Sequence, residues 1–100
     1  MSLAQRFAEE WRRVILLGLA EDPHYRLSQH SLVTIVEYFG PAASFDQVGA
    51  EMAWLEEQRL LRIERVAMPR GEMLFACLLP AGLEVARGRR HPGVARPQPQ

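Results

Sequence analysis

A mainly helical α+β fold is what this sequence predicts, in the order helix, short strand, helix, helix, β-hairpin, short helix. Three observations carry it. Three apolar stripes with helical spacing each follow a serine placed as an N-cap: Ser2, Ser28 and Ser44. Between Leu61 and Leu79 the helical period gives way to a looser alternation, interrupted by Pro69-Arg70-Gly71, which marks two strands and a turn. Pro80 then suits the first position of a last helix, and Gly88 closes it.

The first helix opens at Ser2-Leu3-Ala4-Gln5, a capping-box spacing, and reads to Ala20. Leu3, Phe7, Trp11, Val14 and Gly18 share one face, expected to meet the core. Leu16 and Leu19 lie off that face, so the end of the helix needs cover on a second side, from the rest of the domain or from a second subunit. Glu21 to His24 is a turn, and Tyr25 to Leu27 a very short strand. In the second helix Leu32, Ile35, Val36 and Phe39 stand at i, i+3, i+4 and i+7, and Gly40-Pro41 ends it. Ser44 and Gln47 form the capping box of the third helix. Its inward face is Val48, Met52 and Leu55, and its outward arc is Asp46, Gln47, Ala50, Trp54, Glu57 and Gln58. Leu61 to Met68 and Met73 to Leu79 pair as a hairpin with Arg70 at its tip, and Ala81 to Arg87 is the last helix. Residues 1–87 therefore read as one winged helix-turn-helix domain. Residues 88–100, basic and Pro-rich with no core pattern, read as a disordered tail.

With 100 residues, 48% of them hydrophobic and 24% charged, the chain fits one small domain with a single core. Net charge is zero, so no overall field draws it to nucleic acid or membrane. The charge is divided unevenly, however. Residues 87–100 hold four Arg and no acid, leaving eight Arg against 12 acids in residues 1–86. A lone Cys77 excludes an internal disulfide and a thiolate metal cluster and reads as a small buried hydrophobe. The longest apolar run, Val14 to Ala20, falls far short of the ~20 residues that span a bilayer. The expected location is the cytoplasm of a host cell.

The segments AEMAWLEEQRLLRIE and LLPAGLEVARGRRHPGVARP resemble a family of small proteins of Mu-like transposable phages and prophages, often labelled ArsR-like or winged-helix regulators. The family pattern D-L-A-W-L-x-E-Q-G-L-V is met at Ala53, Trp54, Leu55, Glu57, Gln58 and Leu60. Its later part, L-T-x-x-G-L-D-V-A-x-G and P-G-V-x-R-P, is met at Gly82, Leu83, Val85, Ala86, Gly88, Pro92, Gly93, Val94, Arg96 and Pro97. Arg59 stands where the pattern has Gly, which puts a left-handed helix end in doubt, and Leu79 stands where it has a capping Thr. The resemblance implies a winged-helix fold and a regulatory phage protein.

Two functions are open at this level. In the first, double-stranded DNA is the partner: Gln47 and Gln58 on the third helix offer bidentate adenine contacts, and Arg70 enters a minor groove. Arg62, Arg65, Arg87, Arg89, Arg90 and Arg96 then hold phosphates. In the second, the winged helix is a non-catalytic interaction module for a phage or host protein, docking through Asp46, Ala50, Trp54 and Glu57. Four acids and no base between Phe45 and Gln58 weigh against inserting that helix in a groove, because carboxylates have few partners there. DNA binding stays the leading reading, with the wing and tail supplying the contacts, and the interaction module stands close behind it. Trp54 is either an exposed anchor or is folded back on the wing or last helix. A homodimer through the first and last helices is expected. No catalytic order of Ser, His, Asp or Cys appears, no cofactor or metal is implied, and the thiolate pair of a metal-sensing ArsR-like repressor is missing.

Overall fold

A computed structural model describes residues 2–96. Its elements are α1 (Leu3–Glu21), β1 (Arg26–Ser28), α2 (Gln29–Phe39), α3 (Phe45–Glu57), β2 (Leu61–Met68), β3 (Gly71–Leu78) and α4 (Pro80–Ala86). The element order is the winged helix expected from the sequence. β3 is the central strand of an antiparallel sheet in the order β1-β3-β2, with Leu61 opposite Leu78 and Met68 opposite Gly71. Pro69 and Arg70 alone span the turn, so the hairpin is tight and its tip narrow.

The three predicted serine caps form. Ser2, Ser28 and Ser44 accept from the backbone N–H of Gln5, Ser31 and Gln47, and Gln47 completes a capping box by accepting from the N–H of Ser44. The core gathers Ile15, Leu16 and Leu19 of α1, Leu32 and Val36 of α2, and Val48, Met52 and Leu55 of α3, all fully buried, over Leu61 and Ala76 of the sheet. Leu16 and Leu19 are thus covered within the chain itself, which removes the ground on which they suggested a second subunit.

Two expectations about apolar faces are corrected. Leu3 and Phe7 share the α1 stripe yet are exposed, because burial on this face begins only at Trp11. Phe39, the last member of the α2 stripe, is likewise 66% exposed. The sequence spacing fixes which way a side chain points, but not how far the neighbouring elements extend to meet it.

Two helices end in the same Schellman arrangement with different residues. At α4, Gly88 takes the left-handed position (φ 115°), its N–H donating to Val85 and that of Arg89 to Glu84. At α3 the N–H of Arg59 donates to Glu56 and that of Leu60 to Leu55, with Arg59 itself left-handed at φ 60°. The left-handed helix end that the missing glycine put in doubt is therefore kept, at a steric cost that glycine would not carry. Gly82 has a different reason to be glycine: a Cβ there would stand 2.0 Å from the carbonyl oxygen of Leu60. This contact seats α4 against the end of α3, where the N–H of Leu79 also donates to Leu60.

The largest departure concerns the C-terminal segment. Residues 88–96 are not a loose tail but lie along α1. The N–H of Ala95 donates to Glu9, and that of Val94 to His91. Arg12 donates to the carbonyl of Gly93 at 2.9 Å, and Val94 packs on the core. The expected boundary at residue 88 thus does not mark the end of ordered chain. Residues 97–100, the rest of the expected tail, lie outside the described residues.

Candidate nucleic-acid interface

One buried amide links the two helices of the helix-turn-helix. Gln29, at the start of α2, is 4% exposed and donates to the carbonyl of Phe45 at the start of α3. Gly49 leaves the room this side chain fills, since a Cβ there would come within 2.6 Å of its Nε2. α3 is held in the position from which a winged helix presents its reading helix.

On that helix two of the four acids are bonded inside the chain. Glu51 pairs with Arg12 at 2.7 Å, both largely buried. Glu56 accepts from the backbone N–H of Ile63 at 2.7 Å, tying the helix end to β2. Asp46 lies in the first turn, where a carboxylate offsets the positive helix terminus. Asp46 and Glu57 have no bonded partner among the described residues and remain exposed negative charges. Asp46, Gln47, Ala50, Glu57 and Gln58 are all exposed, as expected for the outward arc. Gln47 uses its carbonyl in the capping box at 2.8 Å, so it keeps only its amide N–H groups for any base. No comparable bond ties the Gln58 side chain among the described residues.

Trp54 is half-buried. The guanidinium carbon of Arg12 stands 3.8 Å from its ring centroid, the edge of His91 meets it at 5.8 Å, and Gly93 lies against its outer rim. Its cover is thus Arg12 and the C-terminal segment. Gly93 (φ 89°) has two reasons to lack a side chain, because a Cβ would also fall 2.7 Å from the indole.

The arginines divide by whether an acid neutralises them. On the hairpin, Arg65 pairs with Glu72 at 2.9 Å and Arg62 stands 3.9 Å from Glu64. Arg26 also bonds Glu64, at 2.6 Å, while stacking on Phe75 at 3.8 Å. This hydrogen bond and the accompanying charge hold the Glu64 carboxyl below its usual range and raise Arg26. Arg89 pairs with Glu84 at 2.5 Å. Arg6, Arg59, Arg70, Arg87, Arg90 and Arg96 are exposed and pair with no acid among the described residues. Arg59 was overlooked as a site residue in the sequence, where it drew notice only as a replaced glycine. It stands just beyond the C-terminal end of α3. The candidates are not brought together: Arg70 lies at the far end of an eight-residue hairpin, about 23 Å from the base near which Arg59 and α4 sit.

Between α1 and α2 an apolar groove is lined by Val14, Leu17, Gly18, Ile35 and Phe39, with Arg13 and Glu21 at its margins. A second cleft lies between α1, α4 and the C-terminal segment. Among the described residues no group of His, Cys, Asp and Glu is placed to hold a metal ion, and no helix is long and apolar enough to cross a membrane.

No protein-family model matches the chain. Among solved structures, a PadR family transcriptional regulator from Eggerthella lenta DSM 2243 superposes with a TM-score of 0.59 over 77% of this chain and 69% of that one, at 19% identity. At this identity the likeness shows the winged-helix fold alone, and the ArsR-like label is not confirmed by it. In sequence, the uncharacterized protein gp26 of Escherichia phage Mu is 33% identical over 92 residues, covering 91% of this chain and 92% of gp26. The resemblance to Mu-like phage proteins is thereby established over nearly the whole length, and the chain belongs to the family of phage Mu gp26.

Proposed function

We propose that this protein is a phage or prophage DNA-binding protein, regulatory or accessory to phage DNA metabolism, that holds duplex DNA mainly by its phosphates. The observation that carries the reading is the pattern of charge pairing. Of the arginines left without an acid partner among the described residues, Arg59, Arg70, Arg87, Arg90 and Arg96 lie on the border of α3, at the hairpin tip and in the C-terminal segment, and Arg6 lies apart on α1, while two of the four acids on α3 are bonded within the fold. Gln58, the C-cap of α3, has both amide groups open to a base, and Gln47 offers only its donors. Arg65 and Arg89 are secondary, since an acid pairs with each, and Arg62 shares Glu64 with the more closely bonded Arg26. A soluble regulator of this kind acts in the host cytoplasm.

The likeness to a transcriptional regulator supports this reading through the fold, and the phage relative supports its setting. The homodimer belongs to the same reading, but its surface moves from Leu16 and Leu19, now in the core, to the groove of Leu17, Ile35 and Phe39. A dimeric mass in light scattering at micromolar concentration is the expected result. One observation favours the alternative, a protein-interaction module: Glu57 stays exposed and unpaired on the outward face beside Ala50. The two are separated by combining Arg70→Ala with Arg87→Glu, Arg90→Glu and Arg96→Glu. Truncating the chain before Gly88 is a poorer test, because it would strip the cover from Trp54. Loss of binding to a random duplex with unchanged circular dichroism supports the phosphate-holding model, and unchanged affinity overturns it.

A further inference from the structure

The cleft between α1, α4 and residues 88–96 has a lining unlike the rest of the surface. Its volume is about 360 Å³, and Arg13, Arg89, Arg90 and Arg96 stand around it with no carboxylate among the described lining residues. In a chain with as many acids as arginines, four arginines lining one cleft, two of them without an acid partner among the described residues, are an imbalance that attracts an anion. Glu10 and Glu84 offset Arg13 and Arg89 from outside the cleft, and no acid offsets Arg90 or Arg96 among the described residues. Beneath this rim Leu17, Val85 and Val94 supply an apolar floor. Such a combination suits a ligand with a charged head and an uncharged body: guanidiniums bind phosphate oxygens in pairs, and the floor shelters a flat, poorly hydrated group. The volume lies at the small end of ligand pockets, about 300–1,000 Å³, which is room for a single nucleotide but not for a duplex.

We propose that this cleft holds a phosphate monoester carried on a flat body, the chemistry of a nucleotide, whether free or at the 5′ end of a strand. The proposal deepens the DNA-binding reading at Arg89, Arg90 and Arg96 and rests on it only for the strand-end source. The test is calorimetric titration of the full chain with a deoxynucleoside 5′-monophosphate, the matching nucleoside and inorganic phosphate. The nucleotide binds at least tenfold more tightly than either, and Arg90→Glu with Arg96→Glu removes at least tenfold of that affinity while Trp54 emission, which reports the docked segment, stays unchanged. Inorganic phosphate binding as tightly as the nucleotide, or a nucleotide affinity unmoved by the two substitutions, overturns the proposal. Single strands with and without a 5′-phosphate identify the source: preference for the phosphorylated end supports the strand, and equal binding of the two supports the free nucleotide. Arg70→Ala lies outside the cleft and keeps the readings apart. A chain that takes the nucleotide but no duplex keeps the cleft and ends the duplex reading, and a chain that binds duplex without nucleotide does the reverse.

Discussion

α3 and the C-terminal segment are opposites in charge and in how they are held. α3 occupies the position from which winged helices read DNA, is fixed by a capping box and a buried core face, and carries four acids with no base. The segment from Arg87 to Arg96 carries four arginines and no acid, and it is held by a few contacts to α1 and Trp54. The part of the molecule best suited by position to face DNA is therefore the least suited by charge. What reconciles them is Arg12, which neutralises Glu51 of α3, stacks on Trp54 of α3 and bonds Gly93 of the segment. One side chain of α1 thus ties the acidic helix and the basic segment into a single rigid border.

The strongest way to break this comparison is Gly82→Ala. Its Cβ would overlap the Leu60 carbonyl, forcing α4 away from the end of α3 and taking the segment's attachment with it. We expect a loss of about 3 kcal/mol or more in urea unfolding. Gly93→Ala acts on the segment alone, through its left-handed backbone and the approach to Trp54. It should cost about 1–2 kcal/mol locally, shift Trp54 emission to the red, and leave the core's cooperative unfolding in place.

Glu57→Arg sharpens the contrast from the other side. Replacing an exposed, unpaired acid of α3 by a base should raise duplex affinity by about tenfold at low salt, measured by fluorescence anisotropy. The interaction-module reading expects that same substitution to weaken capture of a protein partner. The smallest effect is on stability. Arg59→Gly removes the left-handed strain at the end of α3 and should stabilise the fold by about 1 kcal/mol, while deleting one unpaired charge beside the reading helix.

Much of this architecture was legible in the sequence because local chemistry specifies it. The serine caps, the inward face of α3 and the hairpin turn each depend on residues within a few positions of one another, and each formed. What was not legible depends on distant neighbours. Leu3 and Phe7 obey the helical period but extend beyond the region where α1 is covered. The docking of residues 88–96 has no periodic signal, resting on a glycine that admits an indole and on single bonds to Glu9 and Arg12. Partners of the α3 acids were equally hidden, since Arg12 and the N–H of Ile63 are brought in only by the fold. For the candidate site, composition gave the right arginines to consider and no means of telling the neutralised ones from the rest.

The central claim, that unpaired arginines outside α3 hold DNA by its phosphates, is tested most directly by titrating the full chain against a random duplex over a salt series. Five arginines engaged on phosphates predict a slope of about −4.5 in the logarithm of affinity against the logarithm of salt, at about −0.9 per contact. A slope near zero, or no binding at low salt, would contradict it.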